Sequence, residues 1–151
     1  MIQKRELITS QIMLPAQANI AGNVHGGEIM KMMDSAAGAV AHRYSKSNVV
    51  TARVDELQFL RPVLLGSMVT CIAKIVYVGN TTMEVIVTTE VEELESDCDP
   101  EVALTAYFTM VALDKKGKPK KLQGFTPENE MEQILYDEAK ERRETYKKKL
   151  K

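Results

Sequence analysis

The chain has 151 residues, of which 44% are hydrophobic and 27% charged, and its formal net charge is −1. That length suits one domain around one core, and the near-neutral balance leaves no basic face of the kind nucleic acid requires. No apolar run approaches the roughly 18 residues of a membrane span; the opening "MIQKRELITSQIML" has neither a long apolar core nor a small-residue cleavage site, so a cytoplasmic protein without a signal peptide is expected.

In chain order, residues 6–14, "ELITSQIML", alternate as a short first strand. "PAQANIAGNVHGG" follows as a loop rich in Asn, Gly and Ala. Residues 28–44 have helical spacing, with Ile29, Met33, Ala36, Val40 and Tyr44 recurring at three and four. Met32, Ala37, Ala39 and Ala41 widen that stripe past half the circumference, which marks a helix wrapped by other structure. Glu28, Lys31, Ser35 and His42 form its polar strip.

The second half reads as strands. "SNVVTARVDELQFLRPV" is rich in Val and Thr and stops at Pro62. "SMVTCIAKIVYVG" runs to Gly79. In "TTMEVIVTTEVEEL", Met83, Val85, Val87, Thr89 and Val91 alternate with Glu84, Glu90 and Glu92. "EVALTAYFTMVAL" is a last long strand, closed by "DKKGKP". From residue 125 onward the pattern becomes that of a charged helical tail, 125–151, expected to lie on the surface and fray. Cys71 in an apolar run and Cys98 in an acidic turn read as a core thiol and a surface thiol, without metal-ligand spacing. One long helix and five strands share a core only if a strongly twisted antiparallel sheet curls around the helix, so the fold class is α+β.

The stretch "NIAGNVHGGEIMKMMD" concentrates the unusual residues. The first amides of a helix lack internal partners and carry the positive end of its dipole. Gly26 and Gly27 let a ligand oxygen approach such donors, as one acquiring negative charge would need to. On a helical wheel Asp34 borders Met30 and Ala41, away from the polar strip, so it should be partly desolvated and suited to proton transfer. Each feature has a plain alternative: a tight turn for the Gly pair, a bond to a backbone group or cation for Asp34, a turn for Asn23, a cap or packed ring for His25. Gly27 and Asp34 are separated by roughly 10 Å of helix rise, too far for one reacting centre. If both act together, Asp34 must come from a second copy.

With that motif, followed by "VTARVDELQFLRPVLLGSMV" and "VGNTTMEV", the chain resembles the hotdog-fold acyl-CoA thioesterases. More narrowly, it is similar to the acyl-CoA hydrolase group of small bacterial enzymes and two-domain vertebrate cytosolic hydrolases. The resemblance covers about residues 6–124 and implies a thioesterase domain over 1–124; its second motif, Phe59, Pro62 and Gly66, is common to many hotdog proteins. It implies hydrolysis of fatty acyl-CoA to fatty acid and CoA, with Asn23 and Asp34 as catalytic residues. Gly26 and Gly27 would supply oxyanion-binding amides, with Gly27 leading. His25 and the turn Asn80, Thr81 and Thr82 would lie near the CoA arm, and the acyl chain would pass methionines between helix and sheet. No cofactor beyond the substrate's own coenzyme A and no metal are implied. The minimal active unit would be a homodimer with sites at its seam, further assembled as a trimer of dimers. A non-catalytic acyl-CoA sensor and an acyl-carrier dehydratase are the alternative functions.

Overall fold

The computed structural model describes residues 4–150. The sequence's helical stripe becomes helix α1, Gly26–Ser45. It starts two residues earlier than its apolar period, so the Gly pair lies inside its first turn. Its buried residues are Ile29, Met33, Ala36, Ala37, Val40, Ala41 and Ser45. Fully burying a side chain such as Met33 contributes about 1.5–3 kcal/mol. Ala39, expected within the stripe, is exposed.

Five strands surround this helix: β1 Glu6–Ile12, β2 Asn48–Phe59, β3 Met68–Val78, β4 Thr82–Glu92 and β5 Glu101–Leu113. All neighbours pair antiparallel, in the order β1-β3-β4-β5-β2, and α1 touches every strand. The order differs from simple succession. β2 pairs with β5 and forms one edge, and the link through Pro62 and Gly66 crosses to β3. That link is held by the loop before α1, through Val24 N–H donating to the Val63 carbonyl (2.8 Å) and Met13 N–H to that of Ser67 (3.0 Å).

On β4 the expected alternation holds: Met83, Val85, Val87 and Thr89 are fully buried towards α1. Met13, Met33, Met83 and Met110 are at most 2% exposed. These four are core filler. A groove of about 570 Å³ lies between β1 and α1, with Gln11, Gln17, Met32 and Ala36 among its walls. Cys71 is buried and Cys98 exposed. Burial pushes the Cys71 thiol up, as befits a packed thiol.

The charged tail contains helix α2, Glu130–Lys149, capped by Asn129, whose side chain accepts from Glu132 N–H (2.9 Å). It lies on the surface as expected, but it is docked on the outer face of the sheet and stays helical to Lys149. Ala139 is fully buried, and the Tyr136 ring meets Tyr77 and Phe125 edge-on at 5.0 and 5.7 Å. Arg142 Nε donates to Glu84 Oε1 (2.8 Å), and Arg5 pairs with Glu132 (3.1 Å). Glu84, on the strand face that reads as solvent-facing, is therefore buried. No helix among the described residues is long and apolar enough to cross a membrane.

Candidate functional site

The loop before α1 is organised by a residue that the sequence reading passed over. Asn19 Oδ1 accepts from the Ala21 (3.0 Å) and Asn23 (3.1 Å) amides. The Asn19 N–H donates to the Asn23 carbonyl (2.7 Å), and the Asn19 carbonyl accepts from Gly22 N–H (3.1 Å). Gly22 turns the chain at φ +85°, a conformation that favours glycine. The turn-forming role considered for Asn23 thus belongs to Asn19. Asn23 itself bridges Leu64 through its backbone, and its half-buried side chain makes no hydrogen bond among the described residues.

His25 is the N-cap of α1: its Nδ1 accepts from Gly27 N–H at 3.1 Å. This reverses the expected order of the two glycines. The Gly27 amide is spent on the cap, whereas the Gly26 amide makes no hydrogen bond among the described residues and is the open donor at the helix start. A Cβ at Gly26 would lie 3.2 Å from Phe59 Cζ, so a side chain there would push on that ring.

Asp34 is exposed in the single chain, not partly desolvated as the wheel implied. Met30, on the same flank, is 39% exposed, so that flank of α1 is open. The partner of Asp34 is neither a backbone group nor a cation. Thr51 Oγ1 donates to Asp34 Oδ1 at 2.5 Å, and the same hydroxyl lies 3.5 Å from Met110 Sδ. Thr51 had no signal in the sequence beyond belonging to a Thr- and Val-rich strand.

In the turn between β3 and β4, Gly79 N–H donates to the Thr82 carbonyl (2.8 Å), the Thr81 carbonyl accepts from Ala112 N–H (3.0 Å) and the Asn80 carbonyl from Leu122 N–H (2.7 Å). Asn80 is exposed, and Thr82 Oγ1 is buried without a hydrogen-bond partner. Register puts this turn at the Thr51 end of the sheet: Thr82 is opposite Val111, beside the Met110 that is opposite Thr51.

The sequence-predicted residues therefore fall into two groups. Asn23, His25, Gly26 and Gly27 gather at the Phe59 end of β2. Asp34 lies towards its start, tied to Thr51, and the turn Asn80–Thr82 lies at that same end of the sheet, with β5 between. One chain does not bring the open amide and the carboxylate together. Among the described residues, no group of three or more His, Cys, Asp or Glu is arranged to hold a metal ion.

The pattern of the thioesterase superfamily matches residues 21–97, which contain both groups. The chain belongs to the thioesterase superfamily. The cytosolic acyl coenzyme A thioester hydrolase of Mus musculus is 36% identical over 136 residues, covering 85% of this chain and 34% of the mouse protein. The chain thus spans about a third of the length of that curated relative. An acyl-CoA hydrolase from Staphylococcus aureus, solved in complex with butyryl coenzyme A, coenzyme A and coenzyme A disulfide, is 31% identical. It superposes with a TM-score of 0.82 over 96% of this chain and 85% of that one. The same enzyme has been solved with an Asp, a Thr or an Asn replaced by alanine. A hexameric acyl-CoA thioesterase in its apo form is 30% identical, with a TM-score of 0.90 over 97% of this chain and 93% of that one. The curled five-stranded antiparallel sheet around α1 is the hotdog fold of these relatives.

Proposed function

We propose that the protein is an acyl-CoA thioesterase, hydrolysing acyl-CoA to a free fatty acid and CoA. The observation that carries this reading is the Thr51–Asp34 hydrogen bond on the open flank of α1. In the S. aureus acyl-CoA hydrolase, the Thr chosen for replacement follows the Asp by 17 positions, the separation of Thr51 from Asp34 here. Its Asn precedes its Asp by the separation that Asn19, rather than Asn23, has from Asp34.

In the proposed mechanism, the thioester carbonyl lies at the helix start and Gly26 N–H donates to its oxygen. Gly27 acts through the cap that it forms with His25. Asp34 of a second copy receives a proton from water; its Oδ1 is held by Thr51, and Oδ2 faces the water. The water oxygen bonds to the carbonyl carbon, the C–S bond breaks, and the CoA sulfur leaves as a thiolate that takes up a proton. Direct attack by the Asp34 carboxylate, with the CoA thiolate leaving, would form an anhydride that water then opens. Where water attacks the Asp34 carbonyl, oxygen from heavy-oxygen water enters Asp34 in a single turnover, and the fatty acid carries away the old carboxylate oxygen.

The loop asparagine at the reacting centre is Asn23 by the family motif and Asn19 by spacing from Asp34. The turn Asn80–Thr82 and His25 would face the CoA arm. The dimer is the minimal active unit in this reading. A trimer of dimers is supported by the hexameric relative, and a cytoplasmic location by the mouse relative's designation as cytosolic.

The test is release of free thiol from short-, medium- and long-chain acyl-CoAs, with and without EDTA. The expected result is turnover of at least one chain-length class, unchanged by EDTA, and lost in either Asn19→Ala or Asn23→Ala. Binding of acyl-CoA without any thiol release would favour the sensor and sink the hydrolase.

A further inference from the structure

Strand β2 does not alternate simply. Side chains two positions apart on a strand share a face, so Thr51 and Arg53 should point the same way. Instead Thr51 is opposite Met110 and Arg53 opposite Thr109, adjacent residues of β5. Ala52 is the extra residue of a β-bulge, which re-aims the strand. As a result Thr51 faces inward, where it meets Asp34 and Met110. Arg53 faces outward, in the row that runs through Thr109 to Glu84 under α2.

The outward side of that bulge is held by α2. The Arg53 guanidinium lies 3.4 Å from the centroid of the Tyr146 ring and 2.7 Å from the Asp55 carboxylate. Its Nε and Nη1 are buried without hydrogen-bond partners, so the ring and Asp55 are what hold it among the described residues. Tyr146 stands one helical turn beyond Arg142, which is itself pinned to Glu84 and stacked 3.7 Å from the Tyr107 ring centroid. A slip of one residue at the bulge would turn Thr51 off the inner face.

We infer that Arg53 and Tyr146 are positioning residues for the reaction: the end of α2 holds the Ala52 bulge, and the bulge aims the Thr51 hydroxyl at Asp34. This rests on the thioesterase reading above. Neither residue touches the reacting atoms, so the effect falls on the rate of the chemical step and not on substrate binding.

The test is steady-state kinetics of the full chain. Tyr146→Ala is expected to lower kcat by about tenfold, the scale of a small misplacement of a catalytic group, with KM little changed. Tyr146→Phe, which keeps the ring, should behave as wild type. Arg53→Leu should reproduce the loss, and it stands in if Tyr146→Ala fails to fold. In a Thr51→Val background, Tyr146→Ala should add little further loss, because both act through one hydroxyl. Wild-type kcat in both Tyr146→Ala and Arg53→Leu would overturn the inference. So would a full additive loss in the double variant, or a loss in Tyr146→Phe equal to that of alanine. A wild-type chain without thioesterase activity would remove the functional reading alone. The inference then stands or falls on NMR contacts between β2 and β5: loss of the Thr51–Met110 pairing in Tyr146→Ala supports it, and an unchanged register overturns it.

Discussion

Asp34→Asn should lower kcat by about 10²-fold or more, the scale of lost general-base catalysis, with little change in KM. The substitution is informative because the new side chain keeps an oxygen in place of Oδ1. Thr51 can still donate to it, so the tie between α1 and β2 survives. What disappears is the second carboxylate oxygen that takes the water's proton. Steady-state kinetics with the best acyl-CoA, alongside a thermal melt, separates the two roles. A variant within a few-fold of wild type would make Asp34 a strut between helix and sheet.

Removing one partner of the buried Glu84–Arg142 pair should be the costliest change to stability. The side chains are 7% and 18% exposed. Arg142→Met leaves a carboxylate in the sheet–helix seam without its cation, a loss of about 3 kcal/mol. Glu84→Gln should cost much less, since Arg142 can donate to the amide oxygen. Burial pushes the Glu84 carboxyl above the usual glutamate range, and Arg142 opposes that shift. A carboxyl raised in the fold contributes stability that is present below its unfolded value and is lost as pH rises through the folded one. The penalty of Arg142→Met should therefore be larger at about pH 8 than at about pH 5. Glu132, at the other end of α2, has the opposite sign. The Glu128 amide, with Arg5, holds its carboxyl below the usual range. Its contribution is present above the ordinary glutamate value and is lost as pH falls through the folded one. Urea unfolding of both variants at the two pH values checks the sign; equal penalties for Arg142→Met and Glu84→Gln would contradict the account of the pair.

The helix at the centre of the fold was legible because its apolar arc is too wide for a surface helix, and α1 does touch all five strands. The alternation of β4 was legible for the same kind of reason. What the sequence hid depends on tertiary contacts. α2 reads as a solvated tail because it docks through Arg142, Tyr136 and Tyr146, residue types as common on surfaces as in seams. The β2 bulges leave no mark: Ala52 is an unremarkable strand residue, and Glu56 adopts φ +55° without being glycine. In the site, Asp34 stood out as a lone acid beside an apolar stripe. Thr51 did not, because only the bulge turns it inward. Asn19 was hidden by the neighbouring Asn23. A cap was among the plain readings of His25, but which amide it takes depends on how its ring is turned, and only the structure shows Nδ1 on Gly27 N–H, which leaves Gly26 N–H open.

The central claim is that each site takes its loop and open amide from one chain and Asp34 from another. It rests on the separation of Gly26 and Asp34 towards opposite ends of β2 and on the helix rise between them. The most direct measurement is subunit complementation. Asp34→Ala protein is mixed, by co-expression or by mild denaturation and refolding, with whichever of Asn19→Ala or Asn23→Ala is inactive alone. In a mixed dimer one site collects both lesions, and the other collects a wild-type loop from one chain and a wild-type Asp34 from its partner. Random pairing makes half the dimers mixed, so activity should return to about a quarter of wild type. A verified mixed dimer with no recovered activity would contradict the account, because loop and acid would then serve a site within one chain.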